Sequence, residues 1–253
     1  MSWSTKVSAS SGGLRRWSAR AHGKPSRLGT DTGSNSLADG EVSAAAHSER
    51  DMCNDYANNV PYDEYRRAFS QLKIKIRFPK AAPNLEPRDD IKPTDVAPVI
   101  RATTEGPEFV QLPWGFPPAK PKGPPIINFR GEKRRFPNGR CLVPVSWFYE
   151  FTGTKYPKAK WRFTKAGEDW FCIAGLWRPA GEGAAFTMLT VDPGPDVAPY
   201  HNRQIVVLDR ADWATWLDLT IAAEHLVAPS PAGTLRVEQV APGSDRRAPS
   251  LAL

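Results

Sequence analysis

The sequence predicts an α+β fold built mainly on antiparallel sheets, and three observations lead to that class. Many short strand-like segments follow one another from Cys141 onward. Only two stretches carry an amphipathic helical period. No Gly-rich phosphate loop, internal repeat or βαβ rhythm accompanies them, so a parallel sheet is not expected.

Taken in order, residues 1–51 are dominated by Ser, Gly, Ala, Arg and Thr without lasting periodicity. Such a composition does not offset the entropy of ordering, and disorder is expected there. Residues 1–30 hold six basic and no acidic side chains, a bias shared with transit peptides. Asp31, Asp39, Glu41, Glu49 and Asp51 spoil that pattern, and Met52 offers a natural start. The favoured reading of this segment is therefore upstream sequence read through from an early start codon. Tyr62–Leu72 places Tyr65, Phe69 and Leu72 at helical spacing with Arg66 and Arg67 on another face, which predicts an amphipathic helix. Strict alternation over Ile74–Phe78 predicts a half-buried strand.

Proline-punctuated loops follow, with short strands expected at Ala97–Ala102 and Glu108–Leu112. The strand-rich part then reads Cys141–Val145, Trp161–Lys165, Trp170–Leu176, Ala185–Val191 and Gln204–Leu208. A second helix is expected at Arg210–Leu217, with Asp209 as its cap. Residues 241–253 read as a frayed end, which leaves residues 52–240 as the folded domain.

Composition narrows the function. At 253 residues and 40% hydrophobic, the chain can bury one sizeable core. No apolar run approaches the roughly 20 residues a membrane helix requires, so a soluble protein without a membrane partner is expected. Cys53, Cys141 and Cys172 are widely separated, and the four histidines are equally scattered. No zinc-ligand spacing arises, and neither a metal nor a cofactor is expected. An odd, sparse cysteine count fits a reducing compartment, with Cys141 and Cys172 as buried thiols. Of the net charge of +7, residues 1–51 contribute +2 (seven Lys+Arg against five Asp+Glu), leaving +5 on residues 52–253. That balance suits an anionic partner such as nucleic acid, although many basic proteins bind none.

Met52-Cys53 is where the chemistry concentrates. If the chain is cut between them, Cys53 carries a free α-amine and a thiol on adjacent carbons. A 1,2-aminothiol condenses with an aldehyde and closes to a thiazolidine, which neither group does alone.

Four segments stand out: MCNDY (52–56), INFRGE (127–132), WFYEF (147–151) and APYHNRQIVVL (198–208). DIKPTDVAPVI (90–100), LPWGFPP (112–118) and NGRCLVP (138–144) lie between them. In this order the set resembles the SOS response-associated peptidase family, also called SRAP or abasic-site processing proteins. The likeness spans roughly residues 52–240. It implies a barrel-like arrangement of the antiparallel sheets with a few flanking helices. It also implies a covalent thiazolidine between Cys53 and the ring-opened aldehyde of an abasic site in single-stranded DNA.

The resemblance further implies roles for single residues. Glu150 would orient the Cys53 amine or take its proton, and His201 would open the sugar hemiacetal and protonate the leaving strand in any β-elimination. Asn128 would hold the cysteine end or the sugar oxygen, and Arg130 would clamp phosphate. The bland alternative is that Asn-x-Arg is common in turns and that Glu132 simply pairs with Arg130. Lys133, Arg134, Arg135 and Arg140 would extend a track for the DNA backbone, although such runs are more often solvated faces. Trp114 and Phe116 are candidates for stacking on bases, although most of the nine tryptophans must serve the core.

The chain departs from the family pattern after the cysteine. Many members read Met-Cys-Gly-Arg, with the arginine on a phosphate, where this sequence has Asn54 and Asp55. A monomer acting in the cytoplasm, on the nucleoid when bound to DNA, completes the expectation. Two other readings compete with it: a thiol peptidase or autoprotease using Cys53 with His201 as base, and a non-catalytic single-stranded nucleic-acid binder using Arg130, Arg134, Arg135 and Trp114.

Overall fold

A computed structural model describes residues 53–118, 120 and 122–244. The expected disorder of residues 1–51 lies outside them, as do residues 245–253 of the expected frayed end. In chain order the elements are β1 (Tyr56–Asn58), α1 (Tyr62–Gln71), β2 (Arg88–Ile91), β3 (Val96–Arg101), β4 (Glu108–Pro113) and β5 (Asn128–Arg130). They continue with β6 (Arg140–Val145), β7 (Trp147–Thr152), β8 (Ala159–Lys165), β9 (Phe171–Ala180) and β10 (Gly183–Val191). Last come β11 (Gln204–Ile205), β12 (Val207–Leu208), α2 (Trp213–Leu217) and β13 (Leu235–Ala241).

Two sheets result. One runs β13-β8-β7-β1-β2, and the other runs β11-β10-β9-β6-β3-β4, with β12 added to β9 and β5 to β10. The strand pairings are antiparallel except for β5 on β10. The α+β class with few helices is thus observed. The expected barrel is not: among the described residues both sheets stay open, because β2 and β13 end one path and β4 and β11 the other without pairing.

Why the layers form is visible in β6. Its run Arg140–Val145 is buried at every position, as a central strand covered on both faces must be. Leu142 joins Tyr65, Phe69, Cys172, Trp213 and Trp216 in a core beneath the helices. Cys141, Val143 and Val145 turn the other way, into a second core shared with Tyr56, Phe148 and Phe163 of the five-stranded sheet. The eight-stranded sheet therefore carries helices on one face and the second sheet on the other. Gly175 of β9 sits where these layers close. A Cβ there would lie 2.9 Å from Cys141 Sγ, Thr187 O and Val143 Cγ2. Gly175→Ala is expected to cost about 1–3 kcal/mol of stability, read as a lower urea midpoint at unchanged slope.

Several boundaries differ from expectation for local reasons. Ile74, Ile76 and Phe78 do pack on the core, alternating with the exposed Lys75 and Arg77. However, the segment makes only one isolated bridge, Arg77 to Glu108, and no ladder. Gln204–Leu208 breaks in two because Val206 donates to Leu189 O of β10 while its carbonyl accepts from Ala174 of β9, stepping the chain between neighbours. The helix from Arg210 begins as a 3-10 turn, and Asp209 makes no cap but pairs with Lys165 at 2.7 Å. At the other end Ala241 still pairs in β13, and Ser244 donates to Pro157 O, so order runs past residue 240.

Candidate active site

The segment leading into β1 continues along β7: Tyr149 N–H donates to Asp55 O at 3.0 Å. This registers Cys53 against Glu150, and Cys53 N–H donates to Glu150 Oε1 at 3.2 Å. Alternation along β7 turns Phe148 and Glu150 inward, and Glu150 is fully buried. Its Oε2 has no hydrogen-bond partner among the described residues. Burial pushes the Glu150 carboxyl well above the usual carboxylate range, and the Cys53 N–H only partly opposes this. From the second sheet, Asn128 Nδ2 donates to Cys53 O at 3.1 Å. The backbone of Cys53 is thereby gripped on both sides by side chains from two sheets. Its thiol lies 3.7 Å from Asp55 O, and burial, followed by the Glu150 charge, raises the thiol well above its ordinary value.

His201 ends a tight turn in which its N–H donates to Val197 O at 3.0 Å. Nδ1 lies 3.0 Å from the Arg203 N and 3.2 Å from the Arg203 carbonyl oxygen, so the backbone of Arg203 fixes the ring. Arg203 then forks onto both oxygens of Glu132, and also reaches Asp192 Oδ1 at 2.8 Å and Thr190 Oγ1 at 3.2 Å. The guanidinium holds the Glu132 carboxyl below its usual value. Glu132 is therefore held by Arg203, a partner that the sequence reading did not name. The pair ties the His201 loop to the end of β5, two residues beyond which Glu132 lies.

Cys53, Asn128 and Glu150 are thus joined by direct hydrogen bonds, while His201 is held by the neighbouring network. Arg130, Lys133, Arg134 and Arg135 are exposed, with the Arg134 guanidinium 4.8 Å from the centre of the Phe129 ring. Three residues expected on DNA are placed elsewhere. Trp114 is fully buried and its Nε1 donates to Ile127 O at 3.0 Å. Phe116 is buried beneath the Arg178 guanidinium. Arg140 is 1% exposed and bonds the carbonyls of Asp218 and Ile221 beyond α2, because a cation suits a helix C-terminus.

Asp55 also proves to be placed unlike a DNA-binding residue. It is buried on the outer face of its sheet, with Lys160 Nζ at 2.7 Å, and Lys160 reaches Asp90 at 3.3 Å and the Tyr149 ring at 3.6 Å. Burial and the nearby Asp90 raise Asp55 to about 6 despite the pull of Lys160. Neither Lys160 nor the partner of Arg203 was legible in the sequence, since both pairings join residues at least 71 positions apart.

The Glu150 environment makes a stability prediction. A carboxyl raised on folding contributes stability below its unfolded value, and that contribution is lost as pH rises through the folded value. With Met52 attached, Glu150→Gln is expected to match the parent near pH 4 and to be more stable near pH 8 by about 1–3 kcal/mol, the scale of a buried unmade hydrogen bond. In a chain whose first residue is Cys53 that advantage of glutamine is expected to disappear at pH 8, because the buried carboxylate then shares a proton with the α-amine. Urea midpoints at the two pH values check both halves.

Among the described residues no group of three or more His, Cys, Asp or Glu is disposed to hold a metal ion, and no helix is long and apolar enough to cross a membrane. Several solved structures share the fold. A phage-related protein of Bordetella bronchiseptica is 21% identical with a TM-score of 0.58, over 74% of this chain and 94% of that one. A second protein from Bordetella bronchiseptica is 23% identical at a TM-score of 0.56, over 74% and 99%. A protein from Bacteroides thetaiotaomicron is 15% identical at 0.58, over 74% and 92%. No curated protein matches the chain. The family model for SOS response associated peptidase (SRAP) matches residues 52–243, the span that holds Cys53, Asn128, Glu150 and His201. The chain belongs to the SOS response associated peptidase (SRAP) family.

Proposed function

We propose that, once the bond between Met52 and Cys53 is cut, this protein traps abasic sites in single-stranded DNA as a covalent thiazolidine. The observation that carries the proposal is the double grip on Cys53: its nitrogen on Glu150 Oε1 at 3.2 Å and its carbonyl on Asn128 Nδ2 at 3.1 Å. A free amine at that nitrogen would sit beside a buried carboxylate whose proton affinity burial has raised. Glu150 is therefore matched to accept the ammonium proton, and an α-amine with a pKa of about 7.7–8.0 becomes a neutral nucleophile near pH 7.

The balance is simple. The amine attacks the aldehyde carbon, the carbonyl oxygen leaves as water, and an imine forms. The thiol then adds to the imine carbon, its proton passing to nitrogen, and the five-membered ring closes. The buried thiol is pushed away from the thiolate form. That favours an order in which the amine reacts first, and disfavours the family name's literal reading of a thiolate-driven peptidase. His201, an imidazole able to give and take a proton near neutral pH, is suited to opening the sugar ring.

Mass spectrometry tests the reading. The adduct with an abasic oligonucleotide should weigh the sum of the partners less one water, and protein with a verified Cys53 terminus that yields none sinks it.

The exposed run Lys133, Arg134 and Arg135 beside Arg130 supports a backbone track. Replacing these three residues of the run with glutamine is expected to weaken binding of intact and abasic strands alike. The slope of log K against log salt should shrink by roughly 0.7 for each phosphate that the protein no longer neutralises. An unchanged slope would place the DNA elsewhere.

A further inference from the structure

With Trp114 and Phe116 enclosed in the core, the site needs another surface to hold the bases beside a lesion. Trp161 of β8 stands directly opposite Glu150 of β7 in register, so the two side chains share the inward face of the sheet. Tyr200 immediately precedes His201. The rings of Trp161 and Tyr200 meet at 4.7 Å between centroids with an interplanar angle of 55°, and Tyr200 also packs edge-on against Phe163 at 5.4 Å. Trp161 Nε1 is fixed by Thr152 Oγ1 at 2.8 Å.

Both rings are only half-buried, unlike Phe148 and Phe163 beneath them. An aromatic pair partly open to solvent thus links the strand neighbour of Glu150, which grips the Cys53 nitrogen, to the residue that precedes His201. Two side chains already locked by packing lose little entropy when a flat ligand covers them.

We propose that Trp161 and Tyr200 form a stacking subsite for the nucleobase adjacent to the abasic position. This rests on the thiazolidine reading above and deepens it by assigning the neighbouring base its own binding surface. The gap left by the missing base removes one stacking partner from the strand, so the flanking base offers a free π-face for the pair to cover. Stacking of this kind is sequence-tolerant, because every base has such a face. The prediction is recognition of a neighbouring base without regard to its identity.

The test uses the full chain with a protease site placed immediately before Cys53, cut after purification, and follows adduct formation against DNA concentration. Stacking contributes about 1–3 kcal/mol per base. Trp161→Ala and Tyr200→Ala should therefore each raise the half-saturating DNA concentration about five- to 150-fold, and Trp161→Phe, which keeps a ring and guards against misfolding, by much less. For the parent protein, oligonucleotides whose lesion is flanked by baseless spacers should show the same loss, while Trp161→Ala should be indifferent to the spacers. If spacers cost the parent nothing, or cost it and Trp161→Ala equally while adducts still form, the stacking proposal falls alone. If the parent forms no adduct with any oligonucleotide, the thiazolidine reading falls and takes this one with it.

Discussion

Protein freed of everything before Cys53 is expected to convert abasic single-stranded DNA into a species that survives a denaturing gel, whereas the chain with Met52 still attached gives none. The reason is electronic. In the uncut chain the Cys53 nitrogen is an amide whose lone pair is delocalised into the carbonyl of residue 52, so it donates a hydrogen bond to Glu150 and attacks nothing. Cutting that one bond turns the same atom, in the same grip, into an amine. Cys53→Ala in the cut protein should leave at most a reversible imine that does not persist, and Cys53→Ser should close its ring poorly. Glu150→Gln should slow adduct formation near pH 7, because the ammonium then lacks the carboxylate that takes its proton. A stable adduct from the uncut chain would overturn the chemistry.

Arg203→Ala is expected to have the second-largest effect. Arg203 is 8% exposed and holds Glu132 through a two-pronged pair while receiving support from Asp192 and Thr190. Truncation leaves Glu132 and Thr190 without that partner, and breaking a buried pair costs about 3–5 kcal/mol. Glu132 is partly open to water, so about 2–3 kcal/mol is expected here, a fall in Tm of roughly 5–10 °C for a domain of this size. The rate of adduct formation should fall as well, since the clasp sets the His201 loop against the strand carrying Asn128. Arg203→Lys keeps the charge but not the fork, and should recover part of the stability and less of the rate. A variant with normal stability but a lost rate would show that Arg203 acts on DNA directly.

How far the sequence alone reached is clearest strand by strand. β3, β4, β6 and β8 were legible within a residue or two, because alternation or an unbroken apolar run marks them whatever they pair with. β1, β2 and β5 were not: they are three or four residues long and polar in part, and pairing creates them rather than propensity. The same division runs through the site. Cys53, Asn128, Glu150 and His201 could be named from motifs. Sequence could not say that Asn128 would reach the Cys53 carbonyl, or that Trp114 would close over into the core while Trp161 stayed partly open. Those outcomes depend on which faces the two sheets present to each other, and neighbouring residues do not encode that.

The Lys160 cluster has a consequence for how this site tolerates change. Relatives with the Met-Cys-Gly-Arg opening carry a cation where this chain has Asp55. Reverting position 55 alone to arginine would set two positive charges against each other in a half-enclosed space beside Asp90. Such a change is expected to be better tolerated when Lys160 is exchanged in the same molecule, so mutational scans made one residue at a time would misread the pair as intolerant.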